Sequence, residues 1–363
     1  MKLAIPRERE DTRVALVPEV AEKAKALGLE ILVESGAGTG AYYTDADFEP
    51  AATVVDRAAL LQQADMLLSI NPLSYEEYGK LKKGAVVISE FRPFIDAEVT
   101  GKLRELGLQG FSMDMIPRTT LAQAMDVLSS MASIAGYKAV LEAARHLPRY
   151  FPMMITAAGS IRPAKVLVLG AGVAGLQAIA TARRLGAMVE AFDTRQAAKE
   201  EVLSLGAKFV EIEGARDDSA AGGYAVEQSE EFLQRQRAEV QARAVKSDVI
   251  ITTAQVRGRK APLLVPKETV EKMRRGSVIV DLAASTGGNC ELTQDDKMIE
   301  HEGVIIIGNS NLAGLMPQDA SVMYANNVLN FLKILVKDGQ LTADMGNEII
   351  RGAFFTAESG EQA

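Results

Sequence analysis

The feature that most constrains this chain is a buried-strand pattern that leads directly into three spaced glycines. Residues 166–175 read VLVLGAGVAG, so an apolar strand runs into Gly170, Gly172 and Gly175 before a helical pattern begins. In a G-x-G-x-x-G turn, the first glycine permits the tight turn and the second lets the backbone approach a pyrophosphate. The third lets the helix pack close to the strand. The free N–H groups at the helix start would face the phosphates, so the segment predicts dinucleotide binding.

The next predicted strand ends at Asp193, where an acid can bind the adenosine ribose. A carboxylate there accepts hydrogen bonds from the ribose diol and repels a 2′-phosphate, which favours NAD over NADP. Arg195 follows two residues later and keeps the NADP interpretation open, because an Arg can accommodate a 2′-phosphate. A solvated acid that caps the following helix is the structural alternative for Asp193. We expect dinucleotide binding.

Short apolar runs alternate with amphipathic stretches on both sides of this motif. Helices of that length between strands imply right-handed crossovers and parallel sheets, so the fold class is α/β. The predicted strands are Lys2–Ile5, Glu30–Glu34, Asp65–Ile70, Ala85–Phe91, Gln109–Asp114, Lys165–Leu169, Met188–Phe192, Lys208–Ile212, Asp248–Thr253, Ser277–Leu282 and Gly303–Ile307.

A helical pattern without Pro, from Thr119 to about His146, is too long for a routine connection and predicts one or two helices between two domains. A final helix, about Pro317–Val336, is expected to return to the first domain. We therefore predict two Rossmann-like domains with parallel sheets, joined by long helices, with a cofactor cleft between them. The N-terminal, flavodoxin- or Rossmann-like domain comprises 1–132 and 317–363, and the NAD-binding Rossmann domain comprises 133–316. A length of 363 residues agrees with two domains.

A second polar constellation follows the first predicted domain's last strand, where residues 118–130 read RTTLAQAMDVLSS. In a helix capped by either threonine, Gln123, Asp126 and Ser129 recur along one face, close to Arg118. A guanidinium, an amide, a carboxylate and a hydroxyl together supply the donors and acceptors that a nicotinamide carboxamide needs. A polar helix face in water is the alternative, and the spacing alone does not decide between the two.

Groups that could move a proton are scarce. The chain has only two histidines, His146 at a helix end and His301 at a turn, and each is expected to be solvated or capping. Dehydrogenases that act on hydroxy or amino acids commonly use His or Lys for proton transfer. Direct hydride transfer between two nicotinamide rings needs no such group, and this composition suits it.

Two further loops are candidates for cofactor contact. The polar stretch that contains Gly223 and Tyr224 is long for an α/β connection, so it is either a lid over the cofactor or a loop without function. The segment Asp281–Cys290 follows a buried strand at the carboxyl edge of the sheet, where ligands bind in such folds. A plain connecting loop is the alternative there.

Composition excludes several classes of protein. The net charge is -8 and no basic tract occurs, so nucleic-acid binding is not expected. A single cysteine, Cys290, excludes an intramolecular disulfide and a Cys-based metal cluster, and we expect no metal site. No apolar run approaches the roughly 20 residues of a membrane span, so no direct membrane insertion is expected.

Taken together, these segments resemble the NAD(H)-binding first domain, or soluble alpha subunit, of proton-translocating NAD(P) transhydrogenase. The likeness extends over nearly the whole chain. It is carried by IPRERE at 5–10, RVAL at 13–16, ESGAG at 34–38, residues 118–137, ITAAG at 155–159, GAGVAGLQAIATARRLGA from 170, FDTR at 192–195, GGYA at 222–225, SVIVDLAA from 277 and GGNCE at 287–291.

The resemblance implies Re/Si-specific, proton-translocating NAD(P)+ transhydrogenase activity within a multi-subunit complex. The chain would bind NAD(H) as a homodimer and dock the NADP(H)-binding domain of the beta subunit. Hydride would pass directly from NADH to NADP+, coupled to proton movement through membrane-spanning transhydrogenase subunits. The location would be cytoplasmic, peripheral at the inner face of the cytoplasmic membrane through these partners. The end at residue 363 without a hydrophobic tail is expected of a separate subunit or an excised domain.

The resemblance also implies residue roles. Arg118, Gln123, Asp126 and Ser129 match the catalytic loop and helix that orient the nicotinamide and face the NADP-binding partner. Gly223 and Tyr224 match a mobile lid. The other implied cofactor contacts are Gly170, Gly172, Val173, Ala174, Gly175, Asp193, Thr194, Arg195, Ala124, Met125 and Val127.

Two segments depart from the family pattern, and two other functions stay open. Residues 255–260 read QVRGRK where Leu-Ile-Pro-Gly-Lys is common, and 311–316 lack the usual Pro and Arg. Alanine dehydrogenase, a similar fold, places a catalytic Lys and His where this chain has Ser69–Pro72 and Ser89–Arg92. A non-catalytic NAD(H) sensor is the second alternative. The 118–129 constellation argues against a sensor, because a sensor need not present the edge of the nicotinamide to another protein.

Overall fold

The computed structural model describes residues 1–96, 98–212, 229–256 and 258–356. The chain divides into two compact units, and we describe each one by itself. Unit 1 consists of Met1–Met131 with Gly314–Ala363, and unit 2 is Ala132–Ala313. The domain boundaries expected from the sequence, after residue 132 and before residue 317, stay a prediction.

The N-terminal segment of unit 1 alternates strands with short helices. Its strands are β1 (Lys2–Ile5), β2 (Glu30–Glu34), β3 (Thr53–Val55), β4 (Met66–Leu68), β5 (Val86–Ser89) and β6 (Gln109–Ser112). Its helices are α1 (Pro18–Lys25), α2 (Asp45–Phe48), α3 (Arg57–Gln63), α4 (Tyr75–Tyr78) and α5 (Val99–Glu105). The strands pair in parallel in the order β3-β2-β1-β4-β5-β6.

Helix α6 (Val127–His146) begins in unit 1 and continues into unit 2. The strands of unit 2 are β7 (Met154–Thr156), β8 (Gly159–Ile161), β9 (Lys165–Leu169), β10 (Met188–Phe192), β11 (Lys208–Phe209), β12 (Val249–Thr252), β13 (Val278–Asp281), β14 (Met298–His301) and β15 (Val304–Ile307). Its further helices are α7 (Val173–Arg184), α8 (Ala198–Ser204), α9 (Glu230–Ala244) and α10 (Lys267–Lys272). Strands β7 and β8 form a separate antiparallel hairpin.

The main sheet of unit 2 has the order β11-β10-β9-β12-β13-β15-β14. All its pairings are parallel except that of β14 with β15, which is antiparallel. The predicted α/β class with parallel sheets is therefore confirmed, and β14 is an edge strand that the sequence patterns did not predict. Strand β3 was missed as well. Both are short and lack the fully buried apolar pattern of the central strands.

The chain returns to unit 1 through α11 (Pro317–Leu335), followed by the hairpin of β16 (Val336–Lys337) with β17 (Gln340–Leu341) and by α12 (Glu348–Ala353). Helix α11 buries Tyr324, Val328 and Phe331 in the same core cluster as α1. The predicted final helix, Pro317–Val336, is therefore present within one residue of its bounds.

Strand residues alternate between two core layers in each unit. In unit 1, Leu3 and Ile5 join the layer that contains α1 and α11, and Ala4 joins the layer of α3 and α5. In unit 2, Val168 packs with α6 and α7, and Leu169 packs with α9 and α10. This two-residue period follows from side chains that point to opposite faces of a sheet covered on both sides. No helix of the described residues is long and apolar enough to cross a membrane.

Candidate functional site

The glycine turn that follows β9 requires glycine at its first and third positions. Gly170 has φ +103°, and a Cβ there would lie 2.4 Å from Thr253 Oγ1. A Cβ on Gly175 would lie 1.9 Å from the Gly170 carbonyl oxygen. Atoms cannot approach this closely, so these two glycines are needed to form the turn and to pack α7 against it.

Gly172 differs from both neighbours because nothing structural requires its missing side chain. It precedes the first residue of α7 in extended backbone, with φ -77° and ψ -169°, and a Cβ there meets no atom within 4 Å. The adjacent Val173 is 44% exposed. The first N–H groups of a helix lack intrahelical partners, so this open corner presents donors to an anion.

The first turn of α7 is held in place by α6. A Cβ on Gly136 of α6 would lie 2.1 Å from the carbonyl oxygen of Ala174, so the two helix backbones touch there. This contact within unit 2 fixes the direction of the α7 N-terminus. A rigid turn is what preorganised anion binding requires.

Asp193, at the end of β10, is bonded to the glycine turn and to Arg195. Its carboxylate accepts from Ala171 N at 2.7 Å, from Arg195 N at 2.8 Å, and from Arg195 Nε and Nη2 at 3.0 and 2.9 Å. Burial would raise its pKa, but these hydrogen bonds from Arg195 and Ala171 outweigh burial and lower it. The interpretation of Asp193 as a helix cap is wrong, because α8 begins at Ala198 and its N-cap residue is Ala197. Thr194 is exposed beside the carboxylate.

The segment Asp281–Cys290 is built around the fully buried carboxylate of Asp281. Among the described residues, every group that donates a hydrogen bond to this carboxylate is neutral, either a backbone N–H or a hydroxyl. These donors are Thr252 Oγ1, Ala283 N, Asn289 N, Cys290 N and Thr293 Oγ1, at 2.7 to 3.0 Å. The Asn289 side chain in turn bonds the backbone of Ala254 and Pro262. The loop is thus an internal brace for the carboxyl edge of the sheet.

The 118–130 segment does not form the single helix that the spacing suggested. Thr120–Met125 is a 3-10 helix, and Asp126 interrupts it with φ -77° and ψ 90° before α6 begins. The carboxylate of Asp126 then accepts from Ser129 N at 2.9 Å and from Ser129 Oγ at 2.6 Å. The prediction of one shared helical face is therefore wrong. Asp126 and Ser129 meet because Asp126 caps α6.

The side chains of Arg118 and Gln123 lie in solvent on this segment. Met125 and Val127 are buried, whereas Ala124 is exposed and its carbonyl oxygen accepts from Asn327 Nδ2 at 2.8 Å. Since Asn327 belongs to α11, the 3-10 helix is anchored within unit 1. The exposed groups are therefore available to a ligand or a partner on a fixed backbone.

Two predicted elements fall on residues that are not described. Gly223 and Tyr224, the expected lid, lie outside the described residues, as does Arg257 in the divergent segment 255–260. Gln255 of that segment is described, and its amide donates to the Leu282 carbonyl at 2.7 Å. Of the two histidines, His146 lies 3.9 Å from Glu142 and His301 lies 3.4 Å from Glu271.

A buried polar cluster that the sequence patterns did not predict lies at the carboxyl edge of the unit 1 sheet. Glu8 accepts from Ile70 N at 2.6 Å, and the Arg13 guanidinium pairs with Asp11. Glu90 Oε1 is buried without a hydrogen-bond partner among the described residues. Burial raises the pKa of Glu8 to about 7 and also raises that of Glu90. The signal was available, because these residues follow β1, β4 and β5 at the edge where open α/β sheets bind ligands.

This cluster predicts a pH dependence of stability. A carboxyl whose pKa is raised by folding stabilises the fold at low pH, and this contribution is lost as pH rises through the folded-state pKa. For Glu8 the window runs from its ordinary 4.5 to about 7. Between pH 5 and pH 8 we expect the free energy of unfolding of unit 1 to fall as Glu8 ionises. In Glu8→Gln, whose side chain never ionises, this fall should be smaller by on the order of 3 kcal/mol. Hydrogen exchange of β1 and β4 at several pH values measures this, and equal slopes in both proteins would contradict it.

Comparisons with known proteins cover the whole of this architecture. Two family descriptions match, "Alanine dehydrogenase/PNT, N-terminal domain" over residues 4–135 and "Alanine dehydrogenase/PNT, C-terminal domain" over 139–361. A chain of the NAD(P) transhydrogenase alpha subunit from Rhodospirillum rubrum is 44% identical, with 99% of this chain and 97% of that protein covered. The structure of a transhydrogenase from Sinorhizobium meliloti matches with a TM-score of 0.90 at 42% identity, over 98% of each chain. An L-alanine dehydrogenase structure matches with a TM-score of 0.75 at 26% identity, over 94% of this chain and 97% of that one.

Proposed function

Because this chain belongs to the alanine dehydrogenase/PNT family, we propose that it is the NAD(H)-binding component of a proton-translocating NAD(P) transhydrogenase. The observation that carries the proposal is the open corner at Gly172, beside the first N–H groups of α7. Identity of 44% to a transhydrogenase alpha subunit, against 26% to an alanine dehydrogenase, favours this branch of the family.

The residues of the glycine turn fit a dinucleotide. Gly172 leaves room for a pyrophosphate, and the N–H groups of Val173, Ala174 and Gly175 would donate to it. Asp193 would accept from the adenosine ribose while Arg195 and Thr194 border the same strand end. Bound NADH supplies the hydride, and the protein contributes position and charge.

We propose that Arg118, Gln123, Asp126 and Ser129 orient the nicotinamide and present its reactive face to an NADP(H)-binding partner domain. The exposed side chains of Arg118 and Gln123 support this role, because they are free to contact a second protein. Ala124, Met125 and Val127 would border the ring, and Gly223 with Tyr224 would close over it. No proton-transfer group is required, because the hydride passes directly between two nicotinamides.

The partners follow from the same proposal. The chain would act as a homodimer and dock the NADP(H)-binding domain of a beta subunit, whose membrane-spanning part couples hydride transfer to proton translocation. It would therefore work at the inner face of the cytoplasmic membrane, held there by its partners. The net charge of -8 does not suit nucleic-acid binding, so we propose no nucleic-acid partner.

Asp126→Asn separates a catalytic role from a structural one. Asn is as good a helix cap as Asp, so we expect the stability of α6 to change by less than about 0.5 kcal/mol. NADH binding should stay within twofold, whereas hydride transfer to NADP+ on the partner domain should fall at least about tenfold. Single-turnover absorbance measures transfer when an NADP+ analogue is the acceptor, one whose reduced form absorbs at a different wavelength from NADH. NADH fluorescence measures binding against a background without tryptophan. Loss of binding together with transfer would make Asp126 a structural residue only.

Alanine dehydrogenase activity is the competing function within the family. The residues at the carboxyl edge of the unit 1 sheet argue against it, since Ser69, Asn71 and Glu90 stand where that enzyme has its Lys and His. We expect no reduction of NAD+ by alanine and no oxidation of NADH by pyruvate. Turnover of either substrate with tight NADH binding would assign the chain to that branch instead.

A further inference from the structure

A cavity lies in unit 2, at the sheet edge opposite to the glycine turn. It has a volume of about 340 Å³ and opens at the amino ends of β9 and β10, beside Lys165 and Met188. The glycine turn follows the other end of β9. Five strand residues at about 3.3 Å each separate the two places by roughly 16 Å. This amino-edge cavity, lined by Lys165, Arg183, Met188, Lys208, Arg243 and Lys246 among others, is therefore distinct from the dinucleotide turn.

The charges around the amino-edge cavity are strongly unbalanced. Five Lys and Arg side chains line it, against two acids, Glu190 and Glu239. Arg243 engages both acids, with its Nη1 2.7 Å from Glu190 Oε2 and its Nε 2.7 Å from Glu239 Oε1. Arg243 thus bonds both acids, and the charged side chains that line the cavity leave a surplus of three positive charges, five cations against two acids.

The remaining four cations have no such partner in the part of the chain that the structure describes. Among the described residues, no carboxylate oxygen lies within 4 Å of the charged nitrogens of Lys165, Arg183, Lys208 or Lys246. Like charges gathered around one concave surface repel, and a bound anion relieves that repulsion. In a chain with a net charge of -8, this concentration of positive charge is a local feature of the cavity.

The cavity also has an apolar wall. Val166 and Val189 are buried at its base, and Met188 is 46% exposed beside them. Gly206, with φ +76°, lies at the rim and has no side chain. A Cβ there would lie 3.4 Å from Arg183 Nη2, so glycine leaves space beside this guanidinium. A volume of 340 Å³ is within the usual range for small-molecule sites. A ligand with both a flat apolar group and a strong negative charge matches this surface.

We propose that the amino-edge cavity binds a phosphorylated small molecule with an aromatic ring, of the nucleoside monophosphate class. Lys165, Lys208 and Lys246 supply point charges for the phosphate, and Arg183 supplies a fork of N–H donors. The thioether of Met188 packs against the ring. This site adds to the dinucleotide site and does not depend on it.

Calorimetric titration with uridine 5′-monophosphate, in the presence of saturating NADH, tests the proposal because NADH occupies the dinucleotide turn throughout. We expect one binding site per chain, and at least about tenfold weaker binding in Lys208→Gln/Lys246→Gln. Uridine, which lacks the phosphate, should not bind measurably. NADH affinity, followed separately by fluorescence, should be equal in the variant and the original chain, which keeps this test independent of the transhydrogenase proposal.

A matched control carries the same change of charge elsewhere in unit 2. Lys272→Gln/Lys297→Gln removes two exposed lysines that do not line the cavity, so it should bind the nucleotide as the original chain does. Equal weakening in both double variants would overturn the proposal in favour of diffuse charge attraction. The absence of any heat of binding at nucleotide concentrations on the order of 10 mM would also overturn it, as would uridine binding as tightly as its phosphate.

Discussion

Gly172→Val is expected to weaken NADH binding by about 100-fold or more while the chain stays folded. The extended backbone at Gly172 suits a β-branched residue, and its Cβ would meet no atom within 4 Å. The substitution should therefore leave the stability of the fold nearly unchanged. The added methyl groups would occupy the space through which a pyrophosphate approaches the α7 N–H groups. Loss of one or two charge-assisted hydrogen bonds costs about 1.5–3 kcal/mol each, which corresponds to this loss of affinity.

Two glycine variants serve as controls for this result. Gly101→Ala, on α5, also adds a Cβ where no atom lies within 4 Å, and should leave NADH affinity unchanged. Gly175→Ala drives a Cβ into the Gly170 carbonyl oxygen, so it should lower both stability and binding. Fluorescence titration with NADH and circular dichroism measure the two effects. Unchanged NADH affinity in a folded Gly172→Val protein would remove the glycine turn as the dinucleotide site.

Asp281→Ala is expected to destabilise unit 2 by about 4 kcal/mol. The carboxylate is the shared acceptor for five donors, and an alanine side chain offers none of them an acceptor. Each buried donor left unsatisfied costs about 1–3 kcal/mol, although local relaxation recovers part of the sum. Hydrogen exchange of β12 and β13 measures the loss, and the β1 and β2 amides of unit 1 provide an internal reference.

Thr293→Val is the matched control for Asp281→Ala. It removes a single donor, which contacts Asp281 at 2.7 Å, and should cost only about 1 kcal/mol. A loss in Asp281→Ala no greater than that in Thr293→Val would show that the brace contributes little. In that case the buried loop would owe its order to packing of neighbours such as Cys290.

The features that the sequence predicted are those governed by local patterns. Strand β9 and its glycine turn follow from an apolar run and three spaced glycines, and the packing at Gly170 and Gly175 matches the reasons given for them. The central strands of both sheets were found because burial on both faces leaves continuous apolar runs. Helix α11 was found from its apolar period of three to four residues.

The features that the sequence did not predict depend on competition or on distant contacts. Asp126 ends one helix and caps the next because its carboxylate bonds Ser129, and periodicity alone cannot reveal that break. The sequence places Asp193 and Arg195 at one strand end, but it does not reveal that the two side chains pair with each other. The cluster of Glu8 and Glu90 joins residues from separate strands, so only the sheet order brings them together.

The measurement that tests the central claim most directly is the rate at which NADH reduces an NADP+ analogue when this chain is mixed with the NADP-binding domain of a transhydrogenase beta subunit. The chain alone and the partner domain alone are the controls. The account predicts rapid transfer only in the mixture, because each protein holds one nicotinamide and the hydride passes between them. No transfer in the mixture by a chain that binds NADH, together with turnover of alanine or pyruvate, would contradict it.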